Sequence, residues 1–212
     1  MTDTPPSRTT ARRKLVEREI LDAAWTLMAR EGVAAVSVRE VARSVGLRQQ
    51  SLTHYYPTKQ ELLDALFADG FADLRRTLEH VPVTDDPVGN VVAVAVAVVD
   101  YCVAHPARYH LMLQRTLPSF APSEDSYRVA LGCLNVLVGH LAATGITDPA
   151  DMALIRGLIS GLAAEQIAND PQGRFFADQA DRGIRTLVTT SMSVETTARS
   201  QPSRTPAGPA SP

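Results

Sequence analysis

Arg48, Gln49, Gln50, Ser51 and Thr53 stand within six consecutive positions, and their side chains are the types that read hydrogen-bonding edges. Arg presents a two-pronged donor that matches guanine, Gln pairs a donor with an acceptor as adenine requires, and a hydroxyl serves either. Other chemistry is poorly served. The chain contains no G-x-G-x-x-G, no phosphate-binding G-x-x-x-x-G-K, no G-x-S-x-G and no H-E-x-x-H. Cys102, His105 and His110 form a loose C-x2-H-x4-H set, but Pro106 breaks the helix between them and no fourth ligand lies nearby. The expectation is a non-enzyme with no catalytic residues, no metal and no cofactor.

The elements that must position the polar run are two short helices and the turn between them. The stretch Ser37 to Leu63 reads SVREVARSVGLRQQSLTHYYPTKQELL. Ser37 and Glu40 have the spacing of a capping box for a helix that stops at Gly46, and Thr58 and Glu61 repeat it for a later one. Between them a third helix spans about Gln49 to Tyr55, before Pro57. A helix-turn-helix needs a small residue where the helices touch, one that tolerates positive φ in the turn, and apolar residues that lock the second helix. Ala42, Gly46 and the set Val41, Val45, Leu47 and Leu52 supply these, so the polar run is presented outward, as to a major groove. The first helix, about Arg13 to Glu31, carries Val16, Ile20, Ala23, Leu27 and Met28 at helical spacing and stops at Gly32.

At these residues the chain resembles the TetR family of transcriptional regulators. The resemblance rests on Ala23-Ala24, Gly32, Ser37-Val38, Val41-Ala42 and Gly46-Leu47, and on Leu52 through Tyr56-Pro57-Thr58-Lys59 to Glu61-Leu62-Leu63. It covers about residues 13–70; beyond that only helix number and style agree. It implies that Ser37, Arg39, Tyr55 and Lys59 touch phosphates, with Arg39 able to reach a base instead. Arg8, Arg12 and Arg13 could follow the DNA backbone as a loose arm, and a solvated surface is the plain alternative for all these polar residues. One departure stands out: Thr53 occupies a position where the family usually has Tyr, so operator preference does not transfer.

Charge is divided along the chain. Residues 1–60 hold ten Lys and Arg against six Asp and Glu, whereas residues 61–212 hold eleven against seventeen. A basic third joined to an acidic remainder fits one part that meets a polyanion and one that does not. The expected organisation is all-α: a disordered arm at 1–11, a three-helix DNA-binding domain at 12–58, a helical-bundle ligand-binding and dimerisation domain at 59–192, and a disordered tail at 193–212. The fourth helix runs from Thr58, with later ones near 87–104, 106–117, 123–144, 149–169 and 172–191, three of them opened by Asp86-Pro87, His105-Pro106 and Asp148-Pro149. The segment VVAVAVAVV could be read as a strand from its Val content but runs on into a helical pattern.

The resemblance further implies that the fourth to seventh helices surround a small-molecule effector site and that the last two form a four-helix bundle in a homodimer. Candidate linings are Phe67, Phe71, Leu74, Tyr101, Tyr109, Met112, Leu113, Asn135, Leu137, His140 and Gln166, all of which could equally be plain core or surface. Asn135, His140 and Gln166 are the polar ones, and a ligand site needs a few of those. Ala153, Gly157, Gly161 and Ala164 form a small-residue stripe that permits close helix approach, in a dimer or within one chain, with Ile184 and Leu187 on the last helix. Cys102 and Cys133 read as buried thiols, and the longest apolar run, Val91 to Val99, is short for a membrane span. The expected partners are duplex operator DNA, a second copy and an effector, in the cytoplasm and away from membranes. A DNA-binding regulator with no effector is the alternative.

Overall fold

The computed structural model describes residues 8–114 and 116–200, with side chains as far as residue 193. Among these residues every regular element is helical. The α-helices are α1 Arg8–Glu31, α2 Val38–Ser44, α3 Gln49–Thr53, α4 Lys59–Glu79, α5 Pro87–Ala104, α6 Pro106–Met112, α7 Glu124–Ala143, α8 Pro149–Asn169 and α9 Ala180–Ser200, with short 3-10 turns at Val33–Ala35 and Ala177–Gln179.

Local chemistry explains most of the boundaries. The Ser37 hydroxyl accepts from Glu40 N at 3.2 Å, but the Glu40 carboxylate turns to Arg43, so the expected box is half made. Thr58 and Glu61 complete theirs, at 3.1 and 3.3 Å. Each such cap contributes about 1 kcal/mol. Pro occupies the first turn of α5, α6 and α8, where its missing N–H is no loss. Of the residues before them only Asp148 caps with its side chain, accepting from Ala150 N at 2.8 Å. The apolar run of α5 is helical, not extended, and it is the central helix of the bundle, packed on α4, α6, α7, α8 and α9. By length and composition α5 and α7 could each cross a membrane; in α5 that apolarity serves the core.

Four expected boundaries need correction. Residues 8–11 begin α1 instead of belonging to a loose arm, so Arg8, Arg12 and Arg13 lie on a helix. Residues 193–200 likewise continue α9, while 1–7 and 201–212 lie outside the described residues. The sixth helix ends at Met112, short of 117. The last helix does not start near 172, because residues 170–176 form a turn held by Gln166. That side chain is fully buried; its oxygen accepts from the backbone N–H of Phe176 and Ala177, both at 2.9 Å, and its amide donates to the carbonyls of Asp170 and of Gly173.

Candidate nucleic-acid interface and inner cavity

The helix-turn-helix is built as its residue types require. Gly46 takes φ +68° in the turn, a region costly for any residue with a Cβ, and Leu47 N then bonds back to Ala42 O at 2.9 Å. Val41, Ala42 and Leu52 are buried where α2 and α3 meet α1. With that face fixed inward, Arg48, Gln49 and Gln50 are left exposed on the opposite side. Their heads are free for base edges.

The remaining predicted positions divide. Ser51 is half-buried and lines a groove between α1 and α3 with Thr9, Arg12, Arg13, His54 and Tyr55. Arg13 lies over the Tyr55 ring at 5.4 Å and pairs with Glu17 at 2.8 Å, so the basic end of α1 stands beside the reading helix as a rigid wall. Thr53 donates its hydroxyl to Gln50 O at 2.8 Å, which ties it to its own helix. Ser37 is committed as a cap. Arg39 is exposed on α2. The Lys59 ammonium donates to Ala34 O at 3.0 Å; it bridges the start of α4 to the turn after α1 while staying at the surface with two further protons to offer.

The DNA-binding unit is clamped to the rest of the chain. Trp25 Nε1 and Arg18 Nη1 of α1 donate to the Asp69 carboxylate of α4, at 2.8 and 2.6 Å. Arg108 of α6 lies 4.9 Å from the centre of the Trp25 ring and pairs with Asp73. Tyr101 joins this cluster: its hydroxyl donates towards Gly70 O and Asp73, and accepts from Arg108 at 2.8 Å. Burial pushes the Tyr101 hydroxyl up, partly countered by Arg108. Sequence reasoning placed Tyr101 at a ligand and missed this network, because arginine and aspartate on three different helices leave no local spacing signal.

A cavity of about 330 Å³ lies between α4, α7 and α8. Its walls are Phe71, Leu74, Leu78, Val98, Leu113, Cys133, Leu134, Leu137 and Ile159, with Ala153, Arg156, Gly157 and Ser160 along one side of α8. Of the predicted linings Phe71, Leu74, Leu113 and Leu137 are there. Phe67, Tyr101, Tyr109, Met112 and Gln166 are core instead, and none of them, nor Asn135 or His140, lines this space. Tyr109 donates to Ser160 O at 3.1 Å, and Met112 packs on Gly70, where its sulfur would lie 2.5 Å from an added Cβ. Asn135 is exposed and His140 half-exposed. Burial pushes the Cys133 thiol up to about 11 and the Cys102 thiol to about 12, so both stay protonated at neutral pH. Cys102, His105 and His110 do not converge: His105 meets Tyr101 edge-on with ring centres 4.9 Å apart, and His110 bonds Gln114 at 2.7 Å.

The predicted interface residues separate too. Ile184 is fully buried within the single chain, and Ala164 and Leu187 are half-buried. Ala153 and Gly157 border the cavity. Gly161 is exposed beside Leu154, which is 59% exposed, and a second groove runs between α8 and α9 past Leu154, Leu158 and Leu187.

Comparison with known proteins agrees with this architecture. Residues 20–66 match the family model of bacterial regulatory proteins, tetR family. The HTH-type transcriptional regulator Rv1816 of Mycobacterium tuberculosis is 28% identical over 135 residues, 62% of this chain and 58% of that one; the match thus spans less than two thirds of that relative. The HTH-type transcriptional repressor KstR2 of Rhodococcus jostii is 35% identical over 69 residues, 32% of this chain and 33% of its own. These relatives are regulators, not enzymes. The crystal structure of the multidrug binding protein EbrR, complexed with imidazole, superposes with a TM-score of 0.65 at 20% identity, covering 87% of this chain and 97% of that one, a likeness of fold. In its N-terminal domain, capped, turned and packed as described, the chain resembles the tetR family of bacterial regulatory proteins.

Proposed function

We propose that this chain is a ligand-responsive transcriptional repressor that binds operator DNA as a homodimer and is released by a small molecule. The observation that carries the reading is the exposed trio Arg48, Gln49 and Gln50 on a helix locked from behind by Leu52 and the Gly46 turn. Such a helix reads bases, while Arg39, Tyr55, Lys59 and the basic end of α1 hold phosphates and set its register. One short helix reads too few bases for operator affinity, so a second copy is needed. The outward side of α8 and α9, with Leu154 and Gly161 exposed, is the surface for it. Repression accords with the name of the Rhodococcus jostii relative.

The effector site is the cavity beside α8. Helix α4 starts at the DNA-binding unit and supplies Phe71, Leu74 and Leu78 to the cavity wall, so a ligand that shifts this wall shifts the reading helix as well. The cavity favours this reading over a regulator with no effector, and a bacterial regulator of this kind would act in the cytoplasm. The test is binding of the purified chain to duplex DNA from upstream of its own gene, with and without candidate metabolites. An effector should lower operator affinity, and DNA must weaken effector binding by the same factor.

A further inference from the structure

The reading of the α8 cavity as the effector site leaves the ligand's chemistry open, and the cavity's wall speaks to it. Its lining is apolar except along one side of α8, where Arg156 and Ser160 stand one turn apart and therefore share a face. Among the described arginines of the acidic domain, Arg75, Arg76, Arg108, Arg128, Arg174 and Arg185 each pair with a carboxylate. Arg156 and Arg182 make no ion pair, and of the two only Arg156 borders the cavity. Its neighbours on the wall, Ala153 and Gly157, are small, and a Cβ added at Gly157 would meet nothing within 4 Å. The small-residue stripe thus leaves room on the cavity side of α8, beside an unspent guanidinium.

We propose that this cavity takes an apolar carboxylic acid, with its hydrocarbon part against Phe71, Leu74 and Leu137 and its carboxylate on Arg156, assisted by the Ser160 hydroxyl. A guanidinium at the edge of an apolar space is the arrangement for a single bidentate carboxylate. A phosphate monoester would bring nearly two negative charges against one cation, and a neutral apolar molecule would make no use of Arg156, which is exposed at the edge of the cavity. The volume is at the small end of the range of about 300–1,000 Å³ usual for ligand pockets, which favours a short acid over a bulky polycyclic one.

The test uses the full chain and calorimetric titration with hexanoate, octanoate, decanoate and phenylbutyrate, each against its matched primary alcohol. At least one acid should bind about tenfold or more tightly than its alcohol, in keeping with the strength of charge-assisted hydrogen bonds. Arg156→Gln should remove that preference while leaving alcohol binding unchanged, and Gly157→Leu, which fills the space, should abolish binding of both. Equal binding of acids and alcohols, lost in Gly157→Leu, would keep the cavity as the site but overturn the acid. An acid preference that survives Arg156→Gln would overturn the role of Arg156, and no binding by any acid at millimolar concentration would overturn the proposal.

Discussion

The indole Nε1 of Trp25, on α1, donates a 2.8 Å hydrogen bond to Oδ2 of Asp69, on α4. Asp69 also receives Arg18, and the other side of Trp25 meets the guanidinium of Arg108 on α6. One carboxylate therefore fixes the first helix of the DNA-binding unit to the helix that walls the cavity. Asp69→Ala should cost about 1–3 kcal/mol, since it strands the indole N–H of buried Trp25 and removes one of the two carboxylates that hold Arg18. Urea unfolding measures it; Trp25→Phe, which leaves the Arg18 pair in place, should cost less than Asp69→Ala.

In the reading helix, Gln49→Ala or Arg48→Ala should weaken operator binding by about 1–3 kcal/mol each, with little effect on random DNA. Lys59→Ala should weaken all duplexes alike and lower the salt slope by about one. It should also cost some stability, because Lys59 holds Ala34 O. Fluorescence anisotropy across a salt series separates the two patterns, and equal losses on operator and random DNA for all three variants would contradict the roles.

Assembly is tested on the outward side of α8. Leu154→Glu and Gly161→Glu add charge at positions exposed in the single chain, so each protomer should keep its fold. Sedimentation should show monomers, and operator binding should fall with the loss of the second half-site contact. A stable dimer in both variants would place the interface elsewhere.

Stability should also depend on pH through the cluster at α6. Burial, then Arg108, holds the His105 imidazole below its ordinary 6.5. A group with a depressed folded pKa adds stability above its unfolded value and loses it as pH falls; for His105 that loss begins below about 6.5. At Asp73 burial acts upward but is outweighed by Arg76, Arg108 and Tyr101, so its pKa lies below 3.8, and its contribution is lost only in stronger acid. Tm against pH should decline first below about 6.5 and again below about 3.8. His105→Phe should remove the first decline, and Asp73→Asn should shrink the second, to which Asp22 and Asp170 also contribute.

What the sequence disclosed, and what it hid, follows from how local each signal is. Ser37, Thr58, the helix-opening prolines and Gly46 act within four residues of themselves, so the start of most helices and the whole helix-turn-helix were readable. The start of α1 was not, because Arg8 to Ala11 carry no large apolar residue and resemble a tail in composition. Gln166 looked like a ligand contact, since a polar residue on an apolar helix has two explanations; only the 170–176 turn, folded back on it, decides for structure. Ala153 and Gly157 were ambiguous for a related reason. A missing side chain makes room, and the sequence does not say whether a second helix or a cavity occupies it.

The most direct test of DNA reading by a dimer is selection from a pool of random duplexes by the purified chain, followed by sequencing and by stoichiometry on the enriched site. A two-fold symmetric sequence should emerge, bound by an even number of chains, with half-sites about one helical turn or a multiple apart. Gln49→Ala should relax the preference at one equivalent position in each half. Enrichment of no sequence, or of an unrepeated site bound by one chain, would contradict the proposed function.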